Sequence, residues 1–212
     1  SYAITVNSAG NLFVSISTNG STNAIDKAST ATLASAGFTE FAKRGVRVTV
    51  DVNDGAGNNV IKFYTRVDND VASNAGWTQL GATVTTAGTL AIFNSTASLN
   101  IGGFSNGASN IVSGGIERVL IINGYDGAGT TVFDFNPAAY TSGTTLVDQS
   151  SNAATITINS GATIVTRTCL YFDGVDDYMK APAFALSQPE SVYFAGQQVS
   201  WTANDRLFSG NS

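Results

Sequence analysis

The chain has 212 residues, a net charge of -5, no histidine and one cysteine, and only 12% of its residues are charged. These values exclude an intrachain disulfide, a histidine-dependent triad and a nucleic-acid-binding surface built on clustered Lys and Arg. All-β sandwiches often reach this length as one unit, and a single core of this size buries about 70% of the unfolded chain's surface without a staple.

With 22 Gly and 3 Pro, the composition suits many strands joined by tight turns. The alternation begins at once: Tyr2, Ile4 and Val6 alternate with Ala3, Thr5 and Asn7, and Ser8-Ala9-Gly10-Asn11 turns into Leu12, Val14 and Ile16. That pattern predicts a hairpin, with neither the charged nor the apolar region of a signal peptide. Ala28 to Phe41 tolerates helix through its Ala and Leu, but its Ser and Thr leave a turn of helix or a loop equally open.

Val46, Val48 and Val50 alternate with Arg47, Thr49 and Asp51, which predicts a strand with one polar face. Asp54-Gly55-Ala56-Gly57-Asn58 supplies its turn, Val60 to Thr65 returns, and Trp77-Thr78-Gln79-Leu80 is expected to pair at Phe63-Tyr64. Leu99 to Gly102 predicts a short strand. Ile116 to Ile122 is almost continuously apolar, as in a strand covered on both faces or buried at the sandwich centre. Further strands are expected at Thr131–Phe135, Ala154–Ile158, Thr163–Val165, Cys169–Phe172 and Ser191–Phe194. Turns every 8–12 residues or so predict an antiparallel two-sheet sandwich. No apolar run approaches the ~18 residues of a membrane span.

Three blocks carry a resemblance. Phe172-Asp173-Gly174-Val175-Asp176-Asp177-Tyr178 resembles the opening-strand signature of the laminin-G-like, concanavalin A-like jelly rolls. Phe133-Asp134-Phe135 through Gly143-Thr144-Thr145-Leu146-Val147-Asp148-Gln149-Ser150-Ser151-Asn152 is similar to that family's first segment, lacking only its Gly before the Asn. Gly115 to Ile121 resembles its last strand. The hairpin from Val60 to Gly81 is similar to copies of the fold in bacteriophage structural proteins.

The order of these blocks differs from the family's. The opening strand stands there near the domain start, whereas here 34 residues follow Tyr178. The resemblance therefore implies one jelly-roll domain over 1–212, with the family-order C-terminal part at 1–130 and the N-terminal part at 131–212. Closure of one chain as a circular permutant, completion of a neighbouring subunit, and a piece of a tandem array are the three ways to read that order. Closure within one chain predicts Arg206-Leu207-Phe208 beside Tyr2-Ala3-Ile4, and Val132-Phe133 against Ile116 to Ile122.

A glycosidase needs two carboxylates across a cleft. Glu40, Glu117 and Glu190 form no such pattern, and adjacent Asp176 and Asp177 point to opposite faces of a strand. Cys169 has no histidine to activate it and is expected to pack. The chain is therefore not expected to be an enzyme. The resemblance implies a structural calcium ion held by Asp134, Glu117 and Asp148, whose alternative role is to cap turns. Asp173, Asp176 and Asp177 are expected to fix a loop onto backbone amides, and Asp51, Asp54, Asn58 and Asn59 to form a solvated hairpin tip.

Trp77, Trp201, Tyr64 and Tyr193, with Gln197, Gln198 and Asn204 as polar neighbours, are candidates for stacking on a glycan, against an ordinary role in cross-strand packing. The expected function is a non-enzymatic structural or adhesive module of a phage or virus-like particle. Its partners would be other copies or other virion subunits and a cell-surface glycan, with no nucleic acid and no membrane. The alternative is a secreted carbohydrate-binding module of a cell-surface or polysaccharide-degrading protein, and the third reading is a glycoside hydrolase with an unusual carboxylate pair. Virion or extracellular placement follows.

Overall fold

Period-two alternation becomes strand almost wherever it occurs. The computed structural model describes residues 2–39, 42–68, 70–104, 109–159, 161–165, 169–173, 175–176, 178–182, 190–200 and 206–209. Among the described residues, seventeen strands and two three-residue 3-10 turns, Ala34–Ala36 and Pro137–Ala139, make up the regular structure. Every strand pair is antiparallel, and the architecture is an all-β, jelly-roll-like sandwich.

One sheet contains β1 (Tyr2–Val6), β2 (Asn11–Ser17), β3 (Asn23–Thr32), β8 (Leu99–Ile101), β11 (Thr145–Val147), β12 (Thr155–Asn159), β15 (Tyr178–Ala181) and β17 (Arg206–Ser209). The other holds β4 (Arg44–Asp51), β5 (Asn58–Arg66), β6 (Thr78–Gln79), β7 (Val84–Ala87), β9 (Ser113–Asn123), β10 (Thr130–Phe135), β13 (Thr163–Val165), β14 (Cys169–Asp173) and β16 (Glu190–Ser200). The first sheet runs β11-β12-β15-β8-β17-β1-β2-β3 and the second β13-β14-β9-β16-β4-β5-β6, with β10 beside β9 and β7 beside β5.

Both sheets interleave segments distant in sequence. β17 lies between β8 and β1, setting Ile4 opposite Phe208 and Thr5 opposite Arg206. β16 lies between β9 and β4. β10 pairs with β9, with Phe133 opposite Ile121. Both appositions expected of closure within one chain are thus present. Without β16 and β17, the neighbouring strands would carry bare edges of unpaired N–H and C=O groups. Ser1 and Ser212 lie outside the described residues.

Cross-strand rows build the core. Phe63, Val48, Val192 and Ile121 stand opposite one another across β5, β4, β16 and β9, all of them buried. Met179 and Ile101, and then Ile4 and Val14, face each other in the other sheet. These side chains belong to one apolar cluster spanning both sheets. Each large aliphatic or aromatic side chain so buried contributes about 1.5–3 kcal/mol. Ile116, Val119, Ile121, Phe133, Phe172 and Val48 are all buried, as the alternation predicts.

β9 is buried on both faces. Val119 and Ile121 join the main core, while Leu120 and Ile122 join a second cluster on the outer side of the sheet. In the stretch left open between helix and loop, β3 extends to Thr32, where pairing with Asn11 overrides the local Ala content, and a 3-10 turn follows. Trp77 precedes β6, which pairs Gln79 with Tyr64 as expected.

Gly102 marks the tightest approach in the core. Its φ is +84°, and a Cβ there would stand 2.4 Å from the Phe172 ring. Phe172→Ala is expected to cost about 3–5 kcal/mol through the cavity it leaves. Gly102→Ala is expected to destabilise by both backbone strain and overpacking, typically about 1–3 kcal/mol for overpacking alone. Urea unfolding of the two variants checks both values.

Candidate functional site

The polar face of β4 meets the polar faces of its neighbours in the same register. Leu120, Tyr193, Arg47, Tyr64 and Gln79 form one row across β9, β16, β4, β5 and β6. Two residues further on, Ile122, Ser191, Thr49 and Lys62 form the next. Side chains of one row lie close enough to touch, so the sequence spacing alone assembles an aromatic and cationic face.

Arg47 is at its centre. Its guanidinium carbon lies 4.0 Å from the Tyr64 ring centroid, 5.0 Å from Trp77 and 5.4 Å from Tyr193. Trp77 meets Tyr193 edge-on at 5.5 Å. Arg47 Nη1 donates to Asn74 Oδ1 at 2.8 Å, and the residue is only 4% exposed. Desolvated cation–π contacts of this kind contribute about 2 kcal/mol. Arg66 approaches the same indole at 5.3 Å, and its guanidinium also binds the carbonyls of Asp70, Ser73 and Ala75 and pairs with Asp68. The loop carrying Asn74 and Trp77 is thereby tied to β5.

The turn from β9 to β10 folds back over this face. Ser191 Oγ donates to the Gly124 carbonyl at 2.9 Å. Asp126, with φ of 50°, brings its carboxylate onto three donors: Lys62 Nζ at 2.9 Å on Oδ2, and Tyr64 Oη at 2.9 Å and Thr49 Oγ1 at 3.3 Å on Oδ1. Gly127, at φ +83°, passes so close that a Cβ would stand 2.2 Å from Asn74 Oδ1 and 2.4 Å from the Tyr193 hydroxyl. Only glycine fits there.

Three of the four ring residues proposed for glycan contact thus come together, as a cage for the chain's own Arg47. Tyr193 is buried, Tyr64 and Trp77 are half-buried, and Trp201 lies outside the described residues, as do Asn204 and the side chains of Gln197 and Gln198. Reading residue by residue missed Arg47, Lys62, Asn74, Tyr125 and Asp126. Arg47 and Thr49 were visible as the polar face of a strand. The landing of a turn 77 residues away in sequence on Thr49 carried no local signal.

The three carboxylates proposed for calcium have separate partners. Asp134 accepts from Arg118 Nε at 2.9 Å and Nη2 at 2.7 Å, a bidentate pair. Asp148 Oδ1 accepts from the amides of Asp134 at 3.2 Å and Ser150 at 2.7 Å, and Oδ2 from the amide of Ala154. Glu117 falls where the β9–β16 register shifts, and it pairs with Lys43. Among the described residues no group of three or more His, Cys, Asp or Glu side chains is placed to hold a metal. An ion on these carboxylates would have to displace Arg118.

The Asp148 turn covers an edge. Ser150 Oγ and Asn152 Nδ2 donate to the Val132 carbonyl, and the Gln149 amide donates to the Asp134 carbonyl. The outer side of β10 is thereby satisfied without another strand. Asp54 accepts from the amides of Ala56 and Asn58 at an exposed hairpin tip, as expected, but Asn59 is buried and donates to the Gly88 carbonyl. Asp176 is exposed, and Asp177 and the side chain of Asp173 lie outside the described residues.

Comparison of the chain with models of protein families, with curated proteins and with solved structures finds no match.

Burial raises the Asp126 pKa, but the hydrogen bonds from Lys62 and Tyr64 outweigh it and hold the carboxyl below its ordinary value. A carboxyl whose folded-state pKa is depressed stabilises the fold above the unfolded value, near pH 4, and loses that contribution as pH falls through the folded value. Asp126→Asn is therefore expected to flatten the acid limb of a melting-temperature profile below about pH 4. The remaining slope would come from Asp54, held low by the Asn58 side chain, and Asp68, held low by Arg66. Lys62 is raised by Tyr125 and then by Asp126, so its contribution is present below its ordinary pKa near 10.5 and lost above it.

Asp148→Ala is expected to cost about 1–3 kcal/mol for the buried Asp134 amide it orphans. Denaturant titration beside Asp134→Ala, which leaves the Asp148 turn its amide partners, checks it.

Proposed function

We propose that the protein is a non-enzymatic jelly-roll module that acts in assembly or adhesion as a component of a phage or virus-like particle. The non-enzymatic part is supported by how six acidic side chains among the described residues are used. Asp54 and Asp148 bind backbone amides, Asp68 and Asp134 bind arginines, and Asp126 and Glu117 bind lysines. A glycosidase would leave two carboxyls facing each other across a cleft, one of them free to protonate a leaving group. Between the sheets, the gap lined by Tyr2, Ile4, Val14, Ile16, Val48, Val50, Ile92 and Val192 is apolar and holds about one water-sized sphere. The particle setting is supported by the similarity of the Val60–Gly81 hairpin to phage copies of the fold.

The purified chain is expected to release no reducing sugar from β-glucans and to form concentration-dependent oligomers in sedimentation velocity. A chain that stays monomeric and binds neutral glycans on an array would favour the secreted carbohydrate-binding module instead. Sugar release abolished by one Asp or Glu substitution would make it a glycoside hydrolase. Capsid and tail genes beside its own gene, against polysaccharide-degradation genes, separate the first two settings.

A further inference from the structure

The outer face around Arg47 is built from two parts, central strands and a turn that folds onto them. Thr49, Lys62 and Tyr64, the three donors that meet Asp126, stand on the central strands β4 and β5. The carboxylate they hold comes from the β9–β10 turn, whose residues 128–130 are exposed and whose Asp126 sits at positive φ. Donors preorganised on a sheet, with the acceptor supplied by a turn, form a carboxylate-receiving subsite.

The charges around it do not balance. Arg47 and Lys62 supply two cations, and Asp126 is the one carboxylate within ion-pair distance of either among the described residues. Arg47 is buried, and among the described residues its Nε has no hydrogen-bond acceptor. Buried donors left without acceptors are rare and costly in a fold that has no further use for them. In a chain of net charge -5, a local cationic excess walled by rings suits an anionic ligand with an apolar face. Tyr64, Trp77 and Tyr125 are half-buried.

We propose that this face binds a carboxylate-bearing sugar, closed in this state by Asp126, whose carboxylate occupies the acid subsite. The ligand's carboxylate replaces that of Asp126 on Lys62, Tyr64 and Thr49 and draws on the positive charge of Arg47, which has no carboxylate partner among the described residues. The C–H face of its ring packs on Tyr64 and Trp77, as pyranose rings do on aromatic side chains. The closed turn makes a single copy a weak binder, and many copies on one particle would recover affinity through avidity. The inference rests on the adhesive side of the function proposed above.

Asp126→Gly tests it, because glycine keeps the positive φ available and removes only the competing acid. Calorimetric titration would use sodium glucuronate, sodium acetate and neutral methyl glucoside at one ionic strength. Glucuronate is expected to bind Asp126→Gly at least about tenfold more tightly than the wild type and more tightly than acetate, with no response to methyl glucoside. Adding Lys62→Met is expected to abolish the gain.

Equal or absent glucuronate binding in the wild type and Asp126→Gly overturns the proposal. Equal response to acetate and glucuronate overturns the sugar assignment. If the glycine variant fails to fold, Asp126→Asn, which keeps the shape and loses the charge, is expected to show the same order, and its failure to do so is equally decisive. Oligomers without glucuronate binding sink this inference and leave assembly standing. Glucuronate binding by a strictly monomeric chain does the reverse.

Discussion

β9 carries hydrogen bonds along both edges and apolar packing on both faces, and the rest of the sandwich is arranged by that double demand. One edge pairs with β16 over most of its length, and the other is shared in series by β14 and β10. Val119 and Ile121 enter the inter-sheet core, so Leu120 and Ile122 must face outward. Apolar side chains there need a cover, and the sheet alone cannot provide one. The loop with Val71 and Trp77 supplies part of it, and the β9–β10 turn supplies the rest.

The second cluster follows from this requirement, and so does its unusual composition. β4 and β5 bring Arg47, Thr49, Lys62 and Tyr64 to the outer face, which an ordinary sandwich would leave in water. Because the covering loops reach across them, these polar groups are partly or wholly withdrawn from solvent. Arg47 is accommodated by rings and by Asn74 in place of a carboxylate. Asp126 reaches Lys62 only because the backbone at the turn takes a left-handed conformation, which Asp tolerates better than most residues. The place of the candidate site thus follows from covering β9, and its chemistry from the residues that share its register.

Edges pose a second constraint, met differently in the two sheets. β17 closes the gap between β8 and β1, so residues far apart in sequence complete one another's hydrogen bonding. At β10, a turn does the work of a strand: Asp148, Gln149, Ser150 and Asn152 satisfy Val132 and Asp134 directly. The Asp148–Asn152 run therefore has a backbone role in this chain whatever else it binds. Asp134 is then free to turn its carboxylate to Arg118.

Local pattern was enough for the all-β class, for most strands, and for the buried set from Val48 to Phe172, because a period of two places alternate side chains on one face wherever the strand ends up. It also marked Ile116–Ile122 as a buried strand, and Arg47 and Thr49 as one polar face. Only the tertiary structure decided that β3 continues through the Ala-rich stretch to Thr32, since pairing with β2 outweighs a propensity worth a fraction of a kilocalorie. It alone gathered Tyr64, Trp77 and Tyr193 around Arg47, and it alone set Asp126 on Lys62. These contacts join residues dozens of positions apart, and their formation depends on strand order and on which loop must cover which face. Neither quantity is written in any window of the sequence, because both arise from satisfying edges and faces of the whole sheet at once.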